Sequence, residues 1–142
     1  MARLLAVDWG ERRIGLALSD ETQTLAQPLA TLTRRTGKRF PMKDLLARLE
    51  QHEVTGVVVG LPLEASGAEG EPARAARALA EDIARRSGRP VELVDERFTT
   101  ARVRRAVHEM GGKPRDRPGD VDALAATLLL QHYLDSRRGS AL

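Results

Sequence analysis

Asp8, Glu96 and Asp122 are the residues of this 142-residue chain whose types and positions could share one piece of chemistry. Each borders an apolar segment: Asp8 closes Leu4-Leu5-Ala6-Val7, Glu96 lies just past the stretch Val91 to Val94, and Asp122 opens an alanine- and leucine-rich run. Open α/β sheets bind ligands beyond the carboxyl ends of their strands, so Asp8 and Glu96 are expected to share one sheet edge. Asp122 is followed by Ala125, Ala126 and Leu129 at helical spacing, which places it on an apolar face turned toward the sheet. Carboxylates gathered in this way resist joint ionisation unless a cation compensates them. Hard oxygen donors suit Mg²⁺ or Mn²⁺, and the absence of cysteine removes any thiolate-bound softer metal. Two such ions roughly 3.5–4 Å apart can activate water and stabilise the leaving oxygen in phosphodiester hydrolysis. Each acid also has a plain structural reading: Asp8 starting a turn, Glu96 pairing with Arg97, Asp122 favouring a helix N-terminus. The three together have few such explanations.

The acids have basic neighbours. Arg12, Arg13 and Arg97 are the candidates for holding a phosphate, with Arg97 equally able to pair with Asp95. Lys113 and Arg115, with Arg102, Arg105 and Arg117, would extend a basic track for a flanking backbone, although a run of charge is also what a solvated face looks like. The formal net charge of +3 and pI near 9.9 are compatible with a polyanionic partner and decide little alone. Aromatics make up only 3% of the chain, so there is no base-stacking platform, and Trp9 reads as a packing residue first. His52, His108 and His132 read as surface or packing residues. Asp95 is a rival to Glu96, but adjacent strand residues face opposite ways, and Glu96 is preferred. Asp20 reads mainly as the end of a strand.

The elements that must position these groups follow from periodicity. Residues 4–7 and 14–18 are short apolar runs around a turn-prone 9–13, a hairpin. Residues 27–33 form a third extended segment that Pro28 keeps at an edge or a strand start, and 34–39 is a basic loop. Met42, Leu45, Leu46 and Leu49 mark an amphipathic helix ending near His52. The uninterrupted Val57-Val58-Val59 marks a buried strand over 54–61. A helix over 72–87 is stopped by Gly88, and 91–94 is the next strand. A helix over 101–110, a basic loop over 113–118 and a last helix capped by Asp120 and running to about Asp135 complete the chain, with a frayed tail after it. The order defines an α/β sandwich with a mixed sheet, in which right-handed crossovers make the Val57 and Val91 strands parallel to the first. One domain over 1–138 with a frayed 139–142 is expected, since length divided by about 150 is a fair prior on domain count. No apolar stretch approaches the roughly 20 residues of a membrane span, and the short N-terminal apolar run is no signal peptide, so a cytoplasmic protein is expected.

The run Asp8-Trp9-Gly10-Glu11-Arg12-Arg13-Ile14-Gly15-Leu16-Ala17-Leu18-Ser19-Asp20 resembles the opening of the YqgF/RuvX family, pre-16S rRNA nucleases related to Holliday junction resolvases. Val59-Gly60-Leu61-Pro62-Leu63, Asp95-Glu96-Arg97-Phe98-Thr99-Thr100, and Val121 to Ala126 running into Leu130-Gln131-His132-Tyr133-Leu134 agree with it in order. The resemblance spans essentially the whole chain. It implies an RNase H-like fold with a five-stranded mixed sheet flanked by helices, and a nuclease whose metal-binding acids correspond to Asp8, Glu96 and Asp122. One departure is the loop after Leu63, where the family carries Asn-Met-Asp-Gly-Ser-Glu and this chain has Glu64-Ala65-Ser66-Gly67-Ala68-Glu69.

Three other functions compete. An ATP-using actin-like or sugar-kinase fold also places Asp-x-Gly in a strand hairpin, but clamps nucleotide between two such domains. A non-catalytic module recognising structured nucleic acid would keep the fold without needing metals. Within the nuclease reading, rRNA-precursor processing and cleavage of four-way DNA junctions both remain, and the latter needs a symmetric homodimer. No reader of the 2′-hydroxyl is identifiable, so RNA and DNA substrates both stay open.

Overall fold

The computed structural model describes residues 2–9, 13–33, 40–97 and 118–140. The expected loop over 34–39, the helix over 101–110 and the basic stretch 113–117 lie outside them. Five strands form one sheet: β1 (Arg3–Trp9), β2 (Arg13–Ser19), β3 (Ala26–Thr33), β4 (Val54–Leu61) and β5 (Val91–Asp95), in the order β3-β2-β1-β4-β5. The β1–β2 and β2–β3 pairs are antiparallel, and the β1–β4 and β4–β5 pairs are parallel, as the crossover argument requires. β3, with Pro28, is at the edge, where a missing N–H is tolerated.

Alternation along the strands builds two apolar layers. Leu5 and Val7 of β1 and Val57 and Val59 of β4 face helices α1 (Met42–Gln51) and α2 (Glu71–Ser87), meeting Leu45, Leu49, Ala76 and Ile83. Leu4, Ala6, Ala17 and Val58 face helix α3 (Pro118–Ser140), meeting Ala126, Leu130 and Leu134. Gly88, in the left-handed conformation at φ 70°, ends α2 and returns its N–H to Ala84 O, which a side chain with a Cβ would make costly.

Two boundaries differ from the sequence reading. α3 begins at Pro118, so Asp120 is inside the helix and is not its cap. Proline at a first helical position has no N–H to leave unsatisfied, and its φ is already helical. At the other end α3 runs through Ser140, past the end expected near Asp135 and into the tail expected after it. Arg137 is a cation suited to a helix C-terminus.

Candidate active site

The three acids lie on the α3 side of the sheet. Asp8 follows Leu4 and Ala6 at two-residue spacing, so its side chain emerges on the face that α3 covers. Directly across the antiparallel ladder stands Gly15. A Cβ built on Gly15 would collide with the main-chain carbonyl of Asp122, so glycine here lets the α3 backbone rest on β2 beside Asp8. Glu96 arrives by a different route. Its N–H donates to Leu61 O at 3.2 Å, extending the β4–β5 ladder by one bond past Asp95. The buried Oε2 of Glu96 then occupies the place where a Cβ on Gly60 would stand, with Leu129 of α3 against the same spot. Gly60 lies two residues beyond Val58 and therefore on the same face.

Burial raises the pKa of Asp122 above the ordinary carboxylate value, and the charge of Asp8 pushes it in the same direction. Arg13 opposes both. Its Nε is 3.1 Å from Asp122 Oδ2, with the two side chains 44% and 29% exposed. Oδ2 is itself buried, so the ion pair reaches a carboxylate oxygen that water does not. Among the described residues, no three His, Cys, Asp or Glu side chains are drawn tightly enough around one point to hold a metal ion. The donor set nevertheless suits one: buried carboxylate oxygens on one face, with Asp122 and Asp8 repelling each other and a cation already enlisted against that repulsion.

Several neighbours have other work. Asp95 is bound to Arg97, whose Nη2 is 2.7 Å from its Oδ2 and whose Nε reaches both oxygens, and this holds the Asp95 carboxyl below the ordinary range. Arg97 Nη1 also donates to Ala65 O at 3.2 Å, fastening the loop after β4, so the pairing alternative for Arg97 is the one observed. Asp20 is at the opposite end of β2 from Gly15, where it accepts from Thr22 Oγ1 and from the backbone N–H groups of Thr24 and Leu25. Trp9 packs edge-on against Phe40 with ring centroids 6.1 Å apart, on the α1 and α2 side. His52 follows α1 and His132 is exposed on α3. Arg12, Lys113 and Arg115, with Arg102, Arg105, Arg117 and His108, lie outside the described residues.

Three residues that position the acids escape a search for reactive side chains. Gly15 and Gly60 are glycines inside strands, a pattern that signals close approach of another group. Gln131 fixes α3 along its length: its Oε1 accepts from Ala26 N at 2.9 Å and its Nε2 donates to Thr24 O at 3.0 Å. A polar residue on the packed side of a helix was its signal.

The architecture is that of the RNase H-like resolvases. Thermus thermophilus RuvC, solved in complex with a Holliday junction substrate, superposes with a TM-score of 0.57 at 18% identity, covering 97% of each chain. The fowlpox virus Holliday junction resolvase gives 0.57 at 12% identity, covering 95% of this chain and 99% of that one. Residues 2–136 match the family described as "RuvX: Holliday junction resolvase", and the chain belongs to that family. A relative from Anaeromyxobacter sp. (strain Fw109-5), named "Putative pre-16S rRNA nuclease", is 45% identical over 95% of this chain and 98% of its own length. A relative of the same name from Roseiflexus sp. (strain RS-1) is 39% identical over 96% of each.

Proposed function

We propose that this protein is a metal-dependent nuclease that hydrolyses phosphodiester bonds of the 16S rRNA precursor, with Asp8, Glu96 and Asp122 as its metal-binding carboxylates. What supports the reading is that all three acids lie on the α3 side of the sheet, with Asp122 brought beside Asp8 by Gly15 and Glu96 lodged against Gly60. Family membership and the names of the relatives support the substrate. Mg²⁺ or Mn²⁺ ions bound there would supply Lewis acidity and an activated water near neutral pH. The chain's own part is to hold hard oxygen donors on one face of the sheet and to offer cations to the phosphates. Arg12, Arg13, Lys113 and Arg115 are proposed for the second role. No helix among the described residues is long and apolar enough to cross a membrane, in keeping with a cytoplasmic site of action.

The test presents end-labelled precursor rRNA, single-stranded RNA, single-stranded DNA and a four-way junction to wild type and to Asp8→Asn, with Mn²⁺, Mg²⁺ or chelator. Metal-dependent cleavage of the precursor, lost in Asp8→Asn, is expected. Cleavage confined to the junction, by a protein that sediments as a dimer, would replace rRNA processing with junction resolution. Cleavage that survives Asp8→Asn, Glu96→Gln and Asp122→Asn individually would sink the mechanism.

A further inference from the structure

The geometry points to Arg13 as a stand-in cation: its guanidinium holds Asp122 while no divalent ion is bound, and gives Asp122 up when one binds, becoming available to a phosphate oxygen of the substrate. The inference rests on the metal-dependent reading above and adds a partner exchange within the site.

Arg13 opens β2, two residues before Gly15 and four before Ala17, so it projects on the α3 face with the acids. Its Nε is 3.1 Å from Asp122 Oδ2, and its side chain is 44% exposed. An ion pair this exposed is weak, and a divalent cation competes well for the same oxygen. Asp122 cannot dispense with a cation altogether, because its Oδ2 is buried and its backbone rests on Gly15, directly across the ladder from Asp8. A single guanidinium on Oδ2 relieves one carboxylate, and the acids are not gathered around one point. This is the arrangement expected when Asp122 is held toward an arginine. Arg97 offers the contrast. Its guanidinium is engaged by both oxygens of Asp95 and by Ala65 O, so it has no comparable partner to release. Of the described arginines beside the acids, Arg13 is the one built to change partners.

The test uses the full chain and three readouts that need no turnover. Mn²⁺ binding is titrated by the EPR signal of the free ion for wild type, Arg13→Gln and Arg13→Lys, with Asp8→Asn as the site control. Removing a competing ion pair of this kind should tighten Mn²⁺ binding roughly three- to tenfold in Arg13→Gln, with Arg13→Lys between the two. Metal-free Arg13→Gln should melt about 2–5 °C below wild type, and saturating Mn²⁺ should close that gap. In ¹⁵N spectra the Arg13 Nε–H resonance, assigned by its loss in Arg13→Gln, should move to a solvent-exchanging position as Mg²⁺ is added. Mn²⁺ binding that is equal or weaker in Arg13→Gln, or an Nε–H resonance that Mg²⁺ leaves in place, overturns the exchange while leaving the metal site standing. Absence of any Mn²⁺ binding that depends on Asp8 overturns the metal-dependent reading itself and the exchange with it.

Discussion

The main-chain carbonyl of Asp122 rests on the Cα of Gly15, the residue that faces Asp8 across the β1–β2 ladder. One glycine therefore brings an acid from the C-terminal helix beside an acid from the first strand, about a hundred residues away in sequence. The acid carried by the helix is close because the backbone that bears it is close.

Gly15→Ala should test that relationship through stability. The added methyl meets backbone that cannot rotate away, so α3 must lift from the sheet, and the cost should reach the upper part of the overpacking range, about 3 kcal/mol. Urea denaturation measures it, and the metal-dependent cleavage of the surviving folded fraction should fall as well. A variant as stable as wild type would mean that α3 does not lie on β2 as described.

Gly60→Ala should separate function from folding. Its Cβ meets the carboxylate end of Glu96, a flexible group that can swing aside, with the terminal carbon of Leu129 next in line at 3.2 Å. The expected stability cost is about 1 kcal/mol, while cleavage should fall at least as far as in Glu96→Gln. Unchanged cleavage in a well-folded Gly60→Ala would remove Glu96 from the site.

Much of this arrangement was legible in the sequence. The strands at Leu4–Val7 and Val57–Val59 are continuous apolar runs, and α1 and α2 carry buried residues at three- and four-residue spacing, so local pattern and tertiary packing agree. The acids stand out as candidates because each borders an apolar run. What could not be read were the partners supplied by the fold. That Gly15 receives Asp122, Gly60 receives Glu96 and Gln131 ties α3 to Thr24 and Ala26 depends on how the helix crosses the sheet, and no local spacing encodes that crossing. The start of α3 differs for a simpler reason: Asp120 is a good cap by type, but Pro118 is better at a first helical position, and the two preferences stand two residues apart.

Asp20 provides a pH test away from the site. Thr22 Oγ1 and, after it, the N–H groups of Thr24 and Leu25 hold its carboxyl down, from an ordinary 3.8 to about 2. A depressed carboxylate contributes stability that is fully present above the unfolded value and is lost as pH falls through the folded one. Asp20→Asn should therefore be less stable than wild type near neutral pH, and the difference should shrink between about pH 4 and pH 2 in paired thermal melts. Because Asp20 is at the far end of β2, cleavage by the folded variant should equal that of wild type. A pH-independent difference would show that the turn does not draw on the carboxylate charge.

Arg97 is next to Glu96 in the chain yet spends its guanidinium on Asp95 and on Ala65 O, joining the end of β5 to the loop after β4. A residue so engaged should act by positioning Glu96 and that loop, whereas a phosphate contact acts through the charge of the substrate. The two roles separate in salt. Each phosphate contact contributes about 0.7–0.9 to the slope of log affinity against log salt, so removing one lowers the slope by that amount. Arg97→Ala should lower kcat for metal-dependent cleavage with little change in KM, and the salt slope of substrate binding should match that of wild type. Arg97→Lys should recover only part of the loss, because an ammonium cannot span both Asp95 oxygens and Ala65 O in the planar fork that the guanidinium uses. A slope that falls by about 0.7–0.9, with KM rising and kcat preserved, would return Arg97 to the substrate and leave the loop to be held by other contacts.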